Sequence, residues 1–329
     1  MMQRRTLLRA GAAFGGLATT GLPVFAQTSA GNVTLWSGFP VGGGLGDQVA
    51  RPLIEQMRGK YPQPFIYDAK PGAGGRIAAE FVKRAAPDGN TLYGCPSTVM
   101  TLHPHVFRKL PYDTLADFVP IAGLCSYTAV FTAGPGLPAE IRTVADYLKW
   151  ARANPAQANY GVPATGSSLH LAGAMLGKQS GVDMQAVPYK GGAPLLTDLR
   201  GGQIPVSFNV VSEVLPHIRA GTLRALAVCA PTRWKALPET PTLTELGYKD
   251  VAFVDWLAWY GPAGIPAAKV NAINAAVNEA LDSTAMQEVF TKIGLEALRV
   301  TPEGLGTMVR ENHAFWARVV KTTGFKPED

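Results

Sequence analysis

The chain has 329 residues, 47% of them hydrophobic and 16% charged. That is enough apolar material for two lobes with a sizeable core, and it excludes a disordered chain. The formal net charge is +6, but Lys and Arg are scattered, with no basic stripe interleaved with aromatics, which argues against a nucleic-acid surface.

In chain order, residues 1–26, "MMQRRTLLRAGAAFGGLATTGLPVFA", start basic and turn apolar and small-residue-rich. They end in Val24-Phe25-Ala26, the pattern of an export signal with a small-residue cleavage site. Arg4-Arg5 followed by Leu7 and Leu8 fits the twin-arginine route. This segment carries Arg4, Arg5 and Arg9 and no acid, so its removal takes the charge from +6 to +3. No Cys stands at the cleavage site to take a lipid anchor, and no other stretch is apolar and long enough to span a bilayer.

"NVTLWS" (32–37) reads as a buried strand, and "DQVARPLIEQMR" (47–58) as a helix with Val49, Leu53, Ile54 and Met57 on one face and Asp47 as its N-cap. Between them "FPVGGGLGDQ" places Gly42, Gly43, Gly44 and Gly46. It is not a P-loop, because no Lys-Ser or Lys-Thr follows, and Val49 stands where a dinucleotide fingerprint needs glycine. What remains is a bare turn at a helix N-terminus with free N–H groups, either an anion cradle or a plain tight turn. "PFIYDA" is a second strand, "KPGAGG" (70–75) a second such turn, "RIAAEFVKRAA" a helix and "TLYGCP" a third strand. Strand, turn and helix alternate at βαβ spacing, which implies parallel strands.

The alternation then restarts. "TVADYLKWARAN" is a helix, "ANYGVP" a strand, "GSSLHLAGAMLGKQSG" a helix and "DMQAVPY" a strand; the helices "GGAPLLTDLRGG" and "EVLPHIRAG" flank the strand "PVSFNV", and "LRALAVCA" closes the series as a strand. "PATGSSLHLAG" (163–173) and "VPYKGGAP" (187–194) add a third and a fourth strand-to-helix turn. Two long helices follow, over "PAAKVNAINAAVNEAL" and "TPEGLGTMVRENHAFWARVV", and should pack back onto the first lobe. Ligands of such α/β sheets sit beyond the carboxyl ends of the strands.

Nucleophiles and metal ligands are scarce. Ser167 and Ser168 precede His170, but the segment lacks Gly-x-Ser-x-Gly, and a nearby Ser and His do not make a triad; an exported serine hydrolase is the remote alternative. One serine is explained as an N-cap. His103 and His105 flank a proline without a Cys or acidic cluster, a weak metal signal. There are no paired carboxylates and no His-Glu-x-x-His. Cys95, Cys125 and Cys229 lie in apolar strand-like surroundings and read as buried free thiols. Binding without chemistry, metal or cofactor is the economical conclusion.

The stretches "KPGAGGRIAAEFVKRAAPDGNTLYG", "LPYDTLADFVPIAGL", "NYGVPATGSSLHLAG", "VPYKGGAPLLTDLRGGQIPVSF", "PHIRAGTLRALAV" and "WYGPAGIP" resemble the periplasmic solute receptors of the tripartite tricarboxylate transporter family, also called Bug receptors. The resemblance implies a two-lobe Venus-flytrap fold of the type II periplasmic binding class, α/β, each lobe a mostly parallel sheet flanked by helices. With the signal over 1–26, the lobes would comprise 27–124 plus 230–329, and 125–229. It implies a periplasmic monomer that captures a small organic carboxylate and delivers it to membrane permease subunits; presentation to a membrane sensor kinase is the alternative. Carried over by position, the first lobe contributes Phe39, Gly43, Gly44, Asp47, Ser97 and Thr98. The second contributes Thr165, Gly166, Ser167, His170, Tyr189, Lys190, Gly191 and Gly192. The extra glycine in "PVGGGLGD" shifts the first loop from the family's usual form. Asn209 stands where many relatives have Asp, which favours a ligand without an amino group. Asp255, beside Trp256, restores a negative group if it faces the cleft.

Overall fold

A computed structural model describes residues 31–42, 44–249, 251–323 and 325. The export-signal expectation over 1–26, with Arg4-Arg5 and the Val24-Phe25-Ala26 site, lies outside these residues, as does Gly43.

The first series runs β1 (Val33–Ser37), α1 (Leu45–Gln56), β2 (Phe65–Ala69), α2 (Arg76–Lys83), β3 (Thr91–Pro96), two short helices α3 (Ser97–Thr101) and α4 (His103–Val106), and β4 (Phe118–Tyr127). The chain then crosses directly into β5 (Ala129–Ala133) and a second series: α5 (Val144–Ala153), β6 (Asn159–Val162), α6 (Ser168–Ser180), β7 (Gln185–Pro188), α7 (Gly192–Arg200), β8 (Val206–Val210), α8 (Val211–Arg219) and β9 (Arg224–Val228). It returns through residues 229–254 to β10 (Asp255–Pro262), followed by α9 (Ala267–Leu281), α10 (Thr284–Ile293), β11 (Glu296–Ala297) and α11 (Pro302–Thr323).

These strands form a six-stranded sheet in the order β11-β4-β10-β3-β1-β2 and a five-stranded sheet in the order β7-β6-β8-β5-β9. The two-sheet α/β architecture is the expected one, but both sheets are mixed rather than mostly parallel. Strands joined by βα units are parallel, as with β1 against β2 and β3, and β6 against β7 and β8. The strands that carry the chain between the sheets enter the other way: β10 is antiparallel to β3 and β4, and β5 to β8 and β9.

β10 is buried along its whole length, and its two faces serve two cores. Leu257 and Trp259 join the large core that also holds Leu35, Phe131 and Phe208. Trp256, Ala258 and Tyr260 join a second core with Tyr93, Leu305 and Val309. This is the period-2 alternation of a strand covered on both sides. The C-terminal helices supply part of that cover: α9 and α11 pack on β4. Cys95, Cys125 and Cys229 are buried free thiols.

Candidate functional site

The glycine-rich turns have a packing reason as well as an electrostatic one. A Cβ on Gly38 would lie 2.4 Å from the Cα of Gly75. The turn after β1 and the turn after β2 therefore lie back to back, closer than side chains permit. Gly72, Gly74 and Gly75 all have positive φ, which glycine adopts without strain.

α1 begins at Leu45, two residues before the expected N-cap; Gly44 is the N-cap and has no side chain to cap the helix. Asp47 sits inside the first turn, where its carboxylate accepts the Gly42 N–H at 2.7 Å and pairs with Arg51 Nε at 2.8 Å. Its charge thus orders the glycine loop. α7 starts from Gly191 at φ 105° and α8 from Val210, again without a side-chain cap. α6 differs: Ser167 accepts the His170 N–H at 3.2 Å and donates to the Ala164 carbonyl at 2.8 Å.

Three helix N-termini without side-chain caps, those of α1, α7 and α8, therefore converge on one cavity of about 120 Å³. Of the residues expected from sequence, Phe39, Gly44, Asp47, Thr98, Ser167, Lys190, Gly191 and Gly192 line it. An adjoining space of about 580 Å³ is lined by Thr165 and Tyr189 together with Phe39, Lys190 and Gly191; small-molecule pockets typically span roughly 300–1,000 Å³. Arg76 and Phe107 also line this outer space, with the guanidinium 3.5 Å from the centre of the Phe107 ring.

Of the other expected residues, Ser97, Gly166, His170, Asn209, Asp255 and Trp256 stand outside both linings, whereas Ser168 lines the inner cavity. Ser97 donates to Asp255 Oδ1 at 2.9 Å, and Ser168 donates to Oδ2. Ser97 opens α3 beside the six-stranded sheet, and Ser168 opens α6 beside the five-stranded one. Asp255 thus clasps the two halves rather than facing the cavity. Burial pushes its carboxyl up to about 6, against the lowering effect of the two hydroxyls. Trp256 packs in the second core, its indole 3.4 Å from Tyr260 Oη. Gly166, at φ 70°, packs on Phe107 and donates its N–H to His170 Nδ1 at 3.2 Å. The His170 ring lies against Phe325, and burial holds its pKa down. Neither serine donates to a histidine. Asn209 is fully buried and accepts from Ser207; it does not reach the cavity, so its amide says nothing about the ligand.

Two polar groups at the cavity were not expected there. His103, weighed above only as a metal ligand, lines the inner cavity. Tyr112 Oη donates to the Val99 carbonyl at 2.8 Å, so its 3.3 Å contact with His103 Nδ1 requires Nδ1–H as the donor. Nε2 is then a bare acceptor. Burial, and secondarily Arg76, push the imidazole down to about 3, so it stays neutral. Glu213, the third residue of α8, also lines the cavity and is only 8% exposed. Burial raises its carboxyl to about 7, although the Leu45 N–H at the head of α1 favours the ionised form. The signal in sequence was a lone acid inside the otherwise apolar and small-residue run "VSFNVVSEVL".

Among the described residues no three His, Cys, Asp or Glu side chains cluster to hold a metal ion, and no helix is long and apolar enough to cross a membrane.

The sequence profile of the family described as "Tripartite tricarboxylate transporter family receptor" matches residues 49–325. Protein BugT of Bordetella pertussis is 31% identical over 314 residues, covering 94% of this chain and 95% of that protein. Among solved structures, an R. palustris protein with adipate superposes at TM-score 0.85 with 31% identity, covering 92% of this chain and 100% of its own. MatC from Rhodopseudomonas palustris with bound malate gives 0.82 with 28% identity, covering 89% and 99%. The periplasmic binding protein BugD gives 0.84 with 28% identity, covering 91% and 99%.

Proposed function

The chain belongs to the tripartite tricarboxylate transporter receptor family, and from that premise we propose that it captures a small organic carboxylate in the periplasm and delivers it to the subunits of a membrane permease, without transforming it. The observation that carries the reading is the convergence on one cavity of the α1, α7 and α8 N-termini, none capped by the side chain of its own N-cap residue. The Leu45 N–H of α1 already meets Glu213 and the Val211 N–H of α8 meets the Thr128 carbonyl; the remaining first-turn N–H groups and the positive ends of the helix dipoles favour an anion there. The adipate and malate of two relatives are ligands of the same chemical class.

The magnitudes are sufficient. A micromolar complex needs about 8 kcal/mol. Hydrogen bonds to a charged group contribute about 1.5–3 kcal/mol each. Four to six donors on one carboxylate can exceed the requirement before association entropy is subtracted, so no arginine clamp is necessary. Neutral donors also leave no buried cation unpaired when the site is open.

In this reading one lobe carries the six-stranded sheet and the other the five-stranded sheet, β5 to β9; the expected boundary between 124 and 125 moves past Tyr127, because β4 runs on to Tyr127 in the first sheet. The donors of α1 belong to one and those of α7 and α8 to the other, so full binding exists only when the lobes close. Closure gives the permease a shape to recognise. The commitment of the Ser167 and Ser168 hydroxyls to Ala164 and Asp255 supports a site without a nucleophile. The test is a thermal-shift screen of the exported form against a carboxylate panel, since a ligand of the folded state raises its melting temperature. It is paired with uptake of the best ligand in a strain lacking this protein. Stoichiometric, dialysable binding without product and loss of uptake are expected; ester turnover, or undiminished uptake, contradicts the reading.

A further inference from the structure

We propose that Glu213 determines which carboxylate is accepted: the preferred acid carries a hydrogen-bond donor, a hydroxyl or an ammonium, that meets the Glu213 carboxylate. The inference rests on the carboxylate-receptor reading above. The Glu213 side chain leaves α8 and lies flat against the first turn of α7, both oxygens 2.0–2.1 Å from where a Cβ on Gly192 would stand. Its Oε1 is 3.9 Å from the corresponding position on Gly44, the N-cap of α1. The carboxyl therefore sits inside the ring of N–H groups assigned to the ligand's own carboxylate. Oε2 is buried and has no hydrogen-bond partner among the described residues, and Glu213 forms no ion pair among them.

A buried acceptor without a partner is disfavoured, and a group that supplies the missing donor is favoured by contrast. An acid bearing a hydroxyl or ammonium near its carboxylate satisfies both elements at once: its carboxylate takes the helix N–H groups, and its donor takes Oε2. An acid without that donor leaves Oε2 unsatisfied, and one that brings a second carboxylate there meets like charge. Sites with such a polar group reject analogues lacking the complementary atom far more strongly than apolar pockets reject a missing methylene. The glycine at 192 is what admits the carboxyl to this position, since any side chain there would displace it.

The test is isothermal titration of the full folded protein, above the pH of about 7 to which burial raises the Glu213 carboxyl so that it is ionised, with matched sets that differ only at C2: propionate, lactate and alanine; succinate, malate and aspartate; and the five- and six-carbon equivalents. In the sets that bind, the hydroxyl or ammonium member should bind at least about tenfold tighter than the unsubstituted acid. The arms separate the two donors. If the ammonium leads, Glu213→Gln, which removes the charge but keeps the shape, should reduce its advantage. If the hydroxyl leads, Glu213→Gln should keep the advantage through its amide oxygen and Glu213→Ala should abolish it. An unsubstituted acid that binds as tightly as its substituted partners overturns the inference, as does an advantage that survives in Glu213→Ala. If no acid of any set binds, the carboxylate reading itself falls and the inference with it.

Discussion

Replacing Glu213 by Gln gives a pH-dependent stability effect whose sign and size follow from the structure. Burial holds the folded-state pKa of this carboxyl at about 7 against an ordinary value of 4.5. The folded protein therefore keeps a proton that the unfolded chain has already released. By linkage, the associated stability is fully present below about pH 4.5 and is lost as pH rises through about 7. The gap between the two values corresponds to about 3 kcal/mol. The amide of the Glu213→Gln variant has no proton to lose. The unfolding free energy of the variant minus that of the wild type should therefore rise by about 3 kcal/mol between about pH 4.5 and 7.5. Taking the difference cancels the other titrating groups, including Asp255, whose carboxyl is raised to about 6 and weakens the fold in the same direction. The assay is urea unfolding of both proteins at half-unit pH steps, followed by circular dichroism and tryptophan fluorescence. A difference that does not change with pH, or that swings the other way, refutes the burial of the Glu213 carboxyl.

Removing the clasp should also weaken the fold. Asp255→Ala leaves the buried Ser97 and Ser168 hydroxyls without their acceptor, with an expected loss of about 2–5 kcal/mol by urea unfolding; wild-type stability contradicts it. Gly191→Ala places a side chain at φ 105° and ψ 175° with nothing nearer than 3.9 Å, so its cost is backbone strain alone, about 1–3 kcal/mol. Carboxylate affinity should fall at least about tenfold as the first turn of α7 moves, and unchanged affinity by titration speaks against a main-chain site. Ser167→Ala should cost about 0.5–2 kcal/mol through loss of the α6 N-cap, measured by thermal unfolding, while a spectrophotometric ester assay should find no activity to lose.

The parts of this fold that are local were legible in the sequence. β1, α1, β2, α2 and β3 follow from alternating strands, helical apolar faces and glycine punctuation, with the cap of α1 three residues earlier than expected, at Gly44 rather than Asp47. The strands that carry the chain between sheets were not. β4 and β10 are long, mostly apolar runs, and β5 and β10 are buried along their whole length; such runs show no alternation to separate strand from buried helix. The same limit applies to the site. Glycine turns announce themselves, so Gly44, Gly191 and Gly192 could be placed at the cavity. Whether Asp255 or Glu213 faces it depends on which strands pair and where α8 begins. The chain turns into α8 at Val211, two residues before Glu213, and that turn brings an ordinary first-turn acid against α1 and α7.

Backbone N–H groups at the starts of α1 and α7 are what hold the acid in this mechanism. A crystal structure of the complex with the tightest carboxylate from the screen tests this most directly. The expected result is carboxylate oxygens within hydrogen-bonding distance of N–H groups in the first turns of both helices. An acid held chiefly by Arg76, Lys190 or another cationic side chain, or lodged away from those turns, would contradict it.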